Sequence, residues 1–217
     1  MTETDGVIQY KLDFTETAAP EPDAIAELNS WRRIMYLLGL IGQSPDRYEG
    51  YGYGNISRRG TVADGPDCAF VITGSQTGHL AHLEPTHFAT VTHCDPKTNQ
   101  VRARGVTPPS SEALAHGALY KADPAIGGVI HAHCPEIWRW GLGAGLPHTE
   151  PDAACGTPEI ARQIGGLCRR SSQSRGIFIL AGHEDGVVAF GDTVETAGLI
   201  LTQHLAHALS VGPPTIQ

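Results

Sequence analysis

Val129-Ile130-His131-Ala132-His133 is the stretch on which the reading of this chain turns. With its β-branched, apolar centre it predicts a strand over residues 127–133. Side chains two apart on a strand share a face, so the imidazoles of His131 and His133 are able to reach one ion. Imidazole suits Zn²⁺ and its neighbours, and catalytic zinc centres usually take three protein ligands plus a water. Read alone, the pair is equally compatible with two polar residues hydrogen-bonding at a strand end.

Working outward, short β-branched or apolar runs predict strands at residues 55–58, 68–73, 89–93, 101–104, 177–180 and 187–190. Helical spacing predicts a helix opened by Asp23 and running through Trp31, Ile34, Leu37 and Leu38. Further helices are expected from Ser110 or Ser111 through Tyr120, over 135–142, over 158–170 and over 194–209. Residues 1–22 are polar and read as an N-terminal arm or edge strand, and residues 42–54 as a glycine-rich connection. No internal repeat or linker divides residues 23–217. Strands interleaved with helices throughout imply one mixed α/β domain.

Composition excludes several classes. The 217 residues are enough for a self-sufficient core, and a formal charge of −8 argues against general affinity for nucleic acid or anionic membrane. A small anionic substrate is still compatible, because a metal and backbone donors can outweigh net charge in one pocket. Five cysteines with no Cys-x-x-Cys pair suit a reducing compartment. The acidic opening Met1-Thr-Glu-Thr-Asp-Gly is unlike a signal peptide, and no apolar run approaches the ~18 residues of a membrane span. A soluble cytoplasmic protein is expected.

Two further motifs precede the histidine pair in order: Gly54-Asn55-Ile56-Ser57 and Pro109-Ser110-Ser111-Glu112. A third, Gly182-His183, lies in a loop between late strands. Together these resemble the class II aldolase/adducin family, fuculose-phosphate-aldolase-like members above all, over about residues 25 to 210. That resemblance implies a three-layer α/β/α fold with a central, mostly antiparallel mixed sheet. It also implies a homotetramer with active sites between subunits. His131, His133 and His183 would hold Zn²⁺, or another divalent metal such as Mn²⁺ or Co²⁺. Glu112 would move the proton in a lyase reaction that cleaves a small hydroxylated carbonyl compound, such as a sugar phosphate, through a metal-stabilised enediolate. Asn55, Thr77, Gly78, Ser110 and Ser111 would receive the anionic end of the substrate.

The residues themselves leave alternatives open at each point. Glu112 in a first helical turn, or Ser110 and Ser111 at its start, are also ordinary capping residues. Ile72-Thr-Gly-Ser-Gln-Thr-Gly78 is longer than the family's usual turn, so Gly74-Ser75 stands beside Thr77-Gly78 as a candidate. Two acidic residues, Glu184 and Asp185, separate His183 from the strand that the family's third ligand adjoins. Asp185 is therefore an alternative ligand, and Glu184 a residue that could orient one. The family's aldolases borrow a tyrosine from the loop after the histidine pair. Residues 145–152 contain none, and His148 is the remaining candidate donor there. Dehydration, epimerisation, decarboxylation and a non-catalytic adducin-like role thus accompany aldol cleavage. Gly50-Tyr-Gly-Tyr-Gly54 leads into a strand rather than a helix and so fails as a dinucleotide loop.

Overall fold

A computed structural model describes residues 7–60 and 69–212. Strand β1 (Lys11–Glu16) precedes α1 (Pro22–Leu37). A small hairpin of β2 (Gly42–Gln43) and β3 (Gly52–Tyr53) leads into β4 (Asn55–Arg59) and β5 (Phe70–Thr73). After these come β6 (Phe88–Asp95), β7 (Gln100–Gly105), α2 (Ala113–Ala122), β8 (Gly128–His133), α3 (Pro135–Gly143) and α4 (Pro158–Ser171). The chain finishes with β9 (Gly176–Ile179), β10 (Gly186–Gly191) and α5 (Val194–Val211).

Eight strands form one sheet in the order β1-β7-β6-β5-β4-β8-β10-β9. Only β1 against β7 is parallel; the other pairs are antiparallel. Residues 11–16 of the expected arm are therefore an edge strand of this same sheet. Strand alternation sends Val129, Val188 and Phe190 to one face, where Leu114 and Leu119 of α2 and Ile160 and Ile164 of α4 cover them. Ile56, Ile130, Val187 and Ala189 go to the other face, under Leu28 of α1, Ile137 of α3 and Leu201 of α5. The result is a three-layer α/β/α arrangement around a mostly antiparallel sheet, as the resemblance implies.

Helix ends follow local chemistry. Thr157 accepts from the Ile160 amide at 3.4 Å with Pro158 behind it, and Thr193 accepts from the Thr196 amide at 3.0 Å. The expected cap of α1 at Asp23 is two residues late: Glu21 holds the cap position without a side-chain cap, and Pro22 takes the first helical position. The connection over 42–54 contains a hairpin that the sequence did not announce, because two-residue strands carry no period. The fifth-strand expectation began at Cys68, which lies outside the described residues. Gly128 opens β8 where α5 begins: a Cβ there would lie 2.4 Å from the Val194 amide nitrogen, so only glycine lets the strand pass.

Candidate metal centre

Strand β8 carries the first two imidazoles. His131 lies opposite Asn55 of β4 and Val188 of β10, and His133 opposite Gly186. Both rings stand on the α2 side of the sheet and are buried. His183 comes from the turn between β9 and β10, whose ends are closed by the His183 amide to Leu180 carbonyl bond and the Gly186 amide to His183 carbonyl bond. Ring centroids are 5.0 Å apart for His131–His133, 5.1 Å for His131–His183 and 4.5 Å for His133–His183. One nitrogen from each lies within 4.8 Å of the others, so the pair on β8 and the histidine of the turn converge.

Glu112 closes the cluster from α2. It occupies the residue before the helix rather than its first turn, a correction to the expected start at Ser110 or Ser111. The reason is tertiary: the Ser110 amide bonds to the Thr73 carbonyl at the end of β5, and the Tyr10 hydroxyl donates to the Ser110 carbonyl at 2.8 Å. These bonds tie Ser110 to β5 and to Tyr10, and Ser111 and Glu112 form the turn that leads into the helix. Glu112 Oε2 lies 2.9 Å from His131 Nε2, and Oε1 lies 3.5 Å from His183 Nδ1. The Asn55 amide donates to Oε2 at 3.4 Å, and the Cys155 thiol donates to Oε1 at 2.6 Å.

Burial alone would raise the Glu112 carboxyl, but the charge of His131, its hydrogen bond and the nearby His183 outweigh burial and hold it well below the usual range. Glu112 is therefore an anion at neutral pH. Burial, reinforced by the neighbouring imidazoles, keeps His133 neutral. His131 Nδ1 bonds to the Val187 carbonyl at 3.0 Å, which orients the ring and turns Nε2 inward. Nε2 and Glu112 Oε2 are 2.9 Å apart, a contact that needs a proton or a cation between them. His133 Nδ1 is buried with no hydrogen-bond partner among the described residues. Three imidazoles and a carboxylate, desolvated and converging, fit a divalent transition metal.

A cleft opens over this centre, lined by Asn55, Thr77, Gly78, Ser110, Ser111, Glu112, His131 and His133 among others. Gly74 and Ser75 line it too, so both candidate pairs of the long turn reach the same space. The Thr77 hydroxyl is committed to the Gly74 carbonyl at 2.9 Å, closing that turn on itself. A Cβ on Gly78 would lie 2.4 Å from the Gly42 carbonyl oxygen, so the turn packs directly on the small hairpin. Arg32 is 1% exposed and donates to the carbonyls of Thr77, Gly78 and Leu80, fixing the turn from behind.

Other expected residues lie elsewhere. Asp185 is buried, but its carboxylate is engaged by Tyr48 and Arg47, so His183 is the residue of that turn facing the imidazoles. Glu184 and His148 are exposed, and His148 Nδ1 contacts the Thr149 carbonyl at 3.0 Å. Cys134 packs as a structural cysteine, its thiol pushed up to about 12 by burial.

Sequence reasoning missed Cys155, Tyr48 and His116. His116 stands one helical turn after Glu112, its Nδ1 2.6 Å from Ser57 Oγ, which also lies 2.8 Å from the Tyr120 hydroxyl. Burial drives its pKa from 6.5 to about 3, the Glu112 charge opposing and His131 assisting. The unfolded chain takes up this proton below about 6.5, whereas the folded one resists until about 3. Stability is therefore expected to fall as pH drops through that window, by up to roughly 1.4 kcal/mol per pH unit. His116→Gln should flatten this slope; equal wild-type and variant slopes in urea unfolding between pH 7 and 4.5 would contradict it.

Residues 46–209 match the family model of the class II aldolase and adducin N-terminal domain. The chain belongs to this family. The class II aldolase/adducin fold is shared with an L-fuculose 1-phosphate aldolase, 19% identical over 92% of each chain with a TM-score of 0.63. YgbL from Escherichia coli, described as a candidate aldolase, epimerase or decarboxylase, is 19% identical over 90% of this chain and 92% of its own, TM-score 0.61. A sugar-phosphate aldolase from Thermotoga maritima is 15% identical over 89% and 97%, TM-score 0.59. Comparison with curated proteins returns no match. Among the described residues no helix is long and apolar enough to cross a membrane.

Proposed function

We propose that the protein is a cytoplasmic, zinc-type metal-dependent aldehyde-lyase that cleaves a small hydroxylated carbonyl compound with an anionic end, a sugar phosphate in the first instance. The observation that carries this reading is the convergence of three buried imidazoles on the Glu112 carboxylate at the base of an open cleft. In this reading His131, His133 and His183 hold Zn²⁺, Mn²⁺ or Co²⁺, which when bound supplies Lewis acidity toward substrate oxygens. Glu112 takes up and returns the proton at its carboxylate oxygens, with Oε1 steadied by Cys155 and Oε2 by Asn55. The hydroxyls of Ser110 and Ser111, just before α2, and backbone N–H groups of the turn carrying Thr77 and Gly78 receive the anionic end.

A second reading keeps the site and changes the bond broken, to dehydration, epimerisation or decarboxylation. It is supported by the absence of tyrosine in residues 145–152 and by the activities attached to YgbL. A non-catalytic adducin-like role is disfavoured by the buried donor set. The assembly is read as a homotetramer, which would cover apolar residues exposed on α1 and α5, including Leu37, Leu199 and Leu209.

The test combines elemental analysis after exposure to zinc, manganese or cobalt with a screen of ketose phosphates, aldehydes and aromatic hydroxy-acids. About one ion per chain, in a species of tetramer mass by light scattering, is expected. A chain that takes up none of the three ions would sink the enzymatic reading, and a monomer would remove the tetramer.

A further inference from the structure

One cluster beside the imidazoles plays no part in the proposed chemistry. Tyr48 lies in the turn between β2 and β3, and its ring meets that of His133 edge-on, with centroids 4.4 Å apart. Its hydroxyl donates to Asp185 Oδ2 at 2.7 Å. The Arg47 guanidinium donates to the Tyr48 hydroxyl and lies 3.7 Å from Asp185 Oδ2. Asp185 comes two residues after His183, and its carbonyl accepts from the Cys134 amide at 2.8 Å, next to His133. The cluster thus ties the hairpin to the turn that carries His183.

The backbone is bent to make these contacts. Tyr48, Glu49 and Asp185 lie in the left-handed region, with φ of 50°, 56° and 61°. A non-glycine residue there is strained and persists only where its surroundings over-determine it. For Tyr48 and Asp185 the surroundings are each other's side chains, Arg47 and the rings of Tyr53 and His133.

Two residues after His183 and hydrogen-bonded through its backbone beside His133, an aspartate whose carboxylate turned toward the imidazoles would be an oxygen ligand that competes with them or adds to them. In this structure a phenol and a guanidinium occupy the carboxylate instead. Resting on the metal reading above, we infer that Tyr48, assisted by Arg47, is a positioning residue that withholds the Asp185 carboxylate from the cation held by the three histidines. Coordination is then set by His131, His133 and His183, with Glu112 left beside them to move protons.

The visible spectrum of the cobalt-loaded protein tests this, because cobalt bands weaken as coordination number rises. Tyr48→Phe keeps the ring on His133 and removes only the hydroxyl. Its bands are expected to weaken several-fold relative to wild type as Asp185 joins the ion. Tyr48→Phe combined with Asp185→Asn should restore the wild-type intensity, and Arg47→Gln should shift the spectrum in the same direction as Tyr48→Phe. A Tyr48→Phe spectrum equal to wild type, or weakened bands that persist in the double variant, would overturn the inference and leave the metal centre standing. A wild-type protein that takes up no cobalt would overturn both.

Discussion

Glu112→Gln is expected to keep the fold and the bound metal while turnover falls by about 10²- to 10⁴-fold, the usual worth of a positioned acid or base. The amide has the shape of the carboxylate and leaves the three imidazoles untouched. It cannot take up a proton, and it presents at most one acceptor where Glu112 presents two oxygens, to His131 on one side and His183 on the other. Steady-state kinetics run alongside metal stoichiometry separate the outcomes. Unchanged turnover would remove Glu112 from the chemistry. Lost metal with lost turnover would make it a ligand before it is a base.

The largest effect on stability is expected at Arg32. Its guanidinium is buried, spans the carbonyls of Thr77, Gly78 and Leu80, and lies 4.9 Å above the Tyr36 ring. Burial lowers its pKa to about 10, with Tyr36 opposing, so the charge is kept at neutral pH. Arg32→Met preserves much of the volume but removes the guanidinium from the Gly78 and Leu80 carbonyls, each such loss costing about 1–3 kcal/mol when buried, while the Thr77 carbonyl keeps the Leu80 amide. A loss of roughly 3 kcal/mol or more is expected in denaturant unfolding, together with weaker binding of anionic ligands in the cleft. A variant within 0.5 kcal/mol of wild type, about the scatter of surface substitutions, would show that the turn holds itself.

Much of this architecture is legible in the chain. Val129 to His133 reads as a strand because β-branching and alternation are local signals, and the same alternation sends both histidines to one face. The helices expected over 158–170 and 194–209 are found at Pro158–Ser171 and Val194–Val211, the second legible from its near-continuous apolar face. What escapes is contact across distance. Cys155 meets Glu112 from 43 residues away, and Tyr48 meets Asp185 from 137. No local pattern marks either of them. Arg32 is likewise buried by a turn 45 residues further along the chain. Glu112 was found by its motif and misjudged in its helix, because long-range bonds to Ser110 decide where α2 begins.

The pairing of β8 with β4 and β10 has a consequence for how this protein can change. Ile130 and Ala132 complete one hydrophobic layer while His131 and His133 face the other, so the apolar and polar sets of this strand are locked in antiphase. Deleting or inserting a single residue in the strand would rotate the imidazoles into the layer beneath α1 and α5 and turn isoleucine toward Glu112. Such a lesion strikes structure and chemistry together. Variation at this centre must therefore come through the turns that overhang the strand, since the strand itself admits no shift in step.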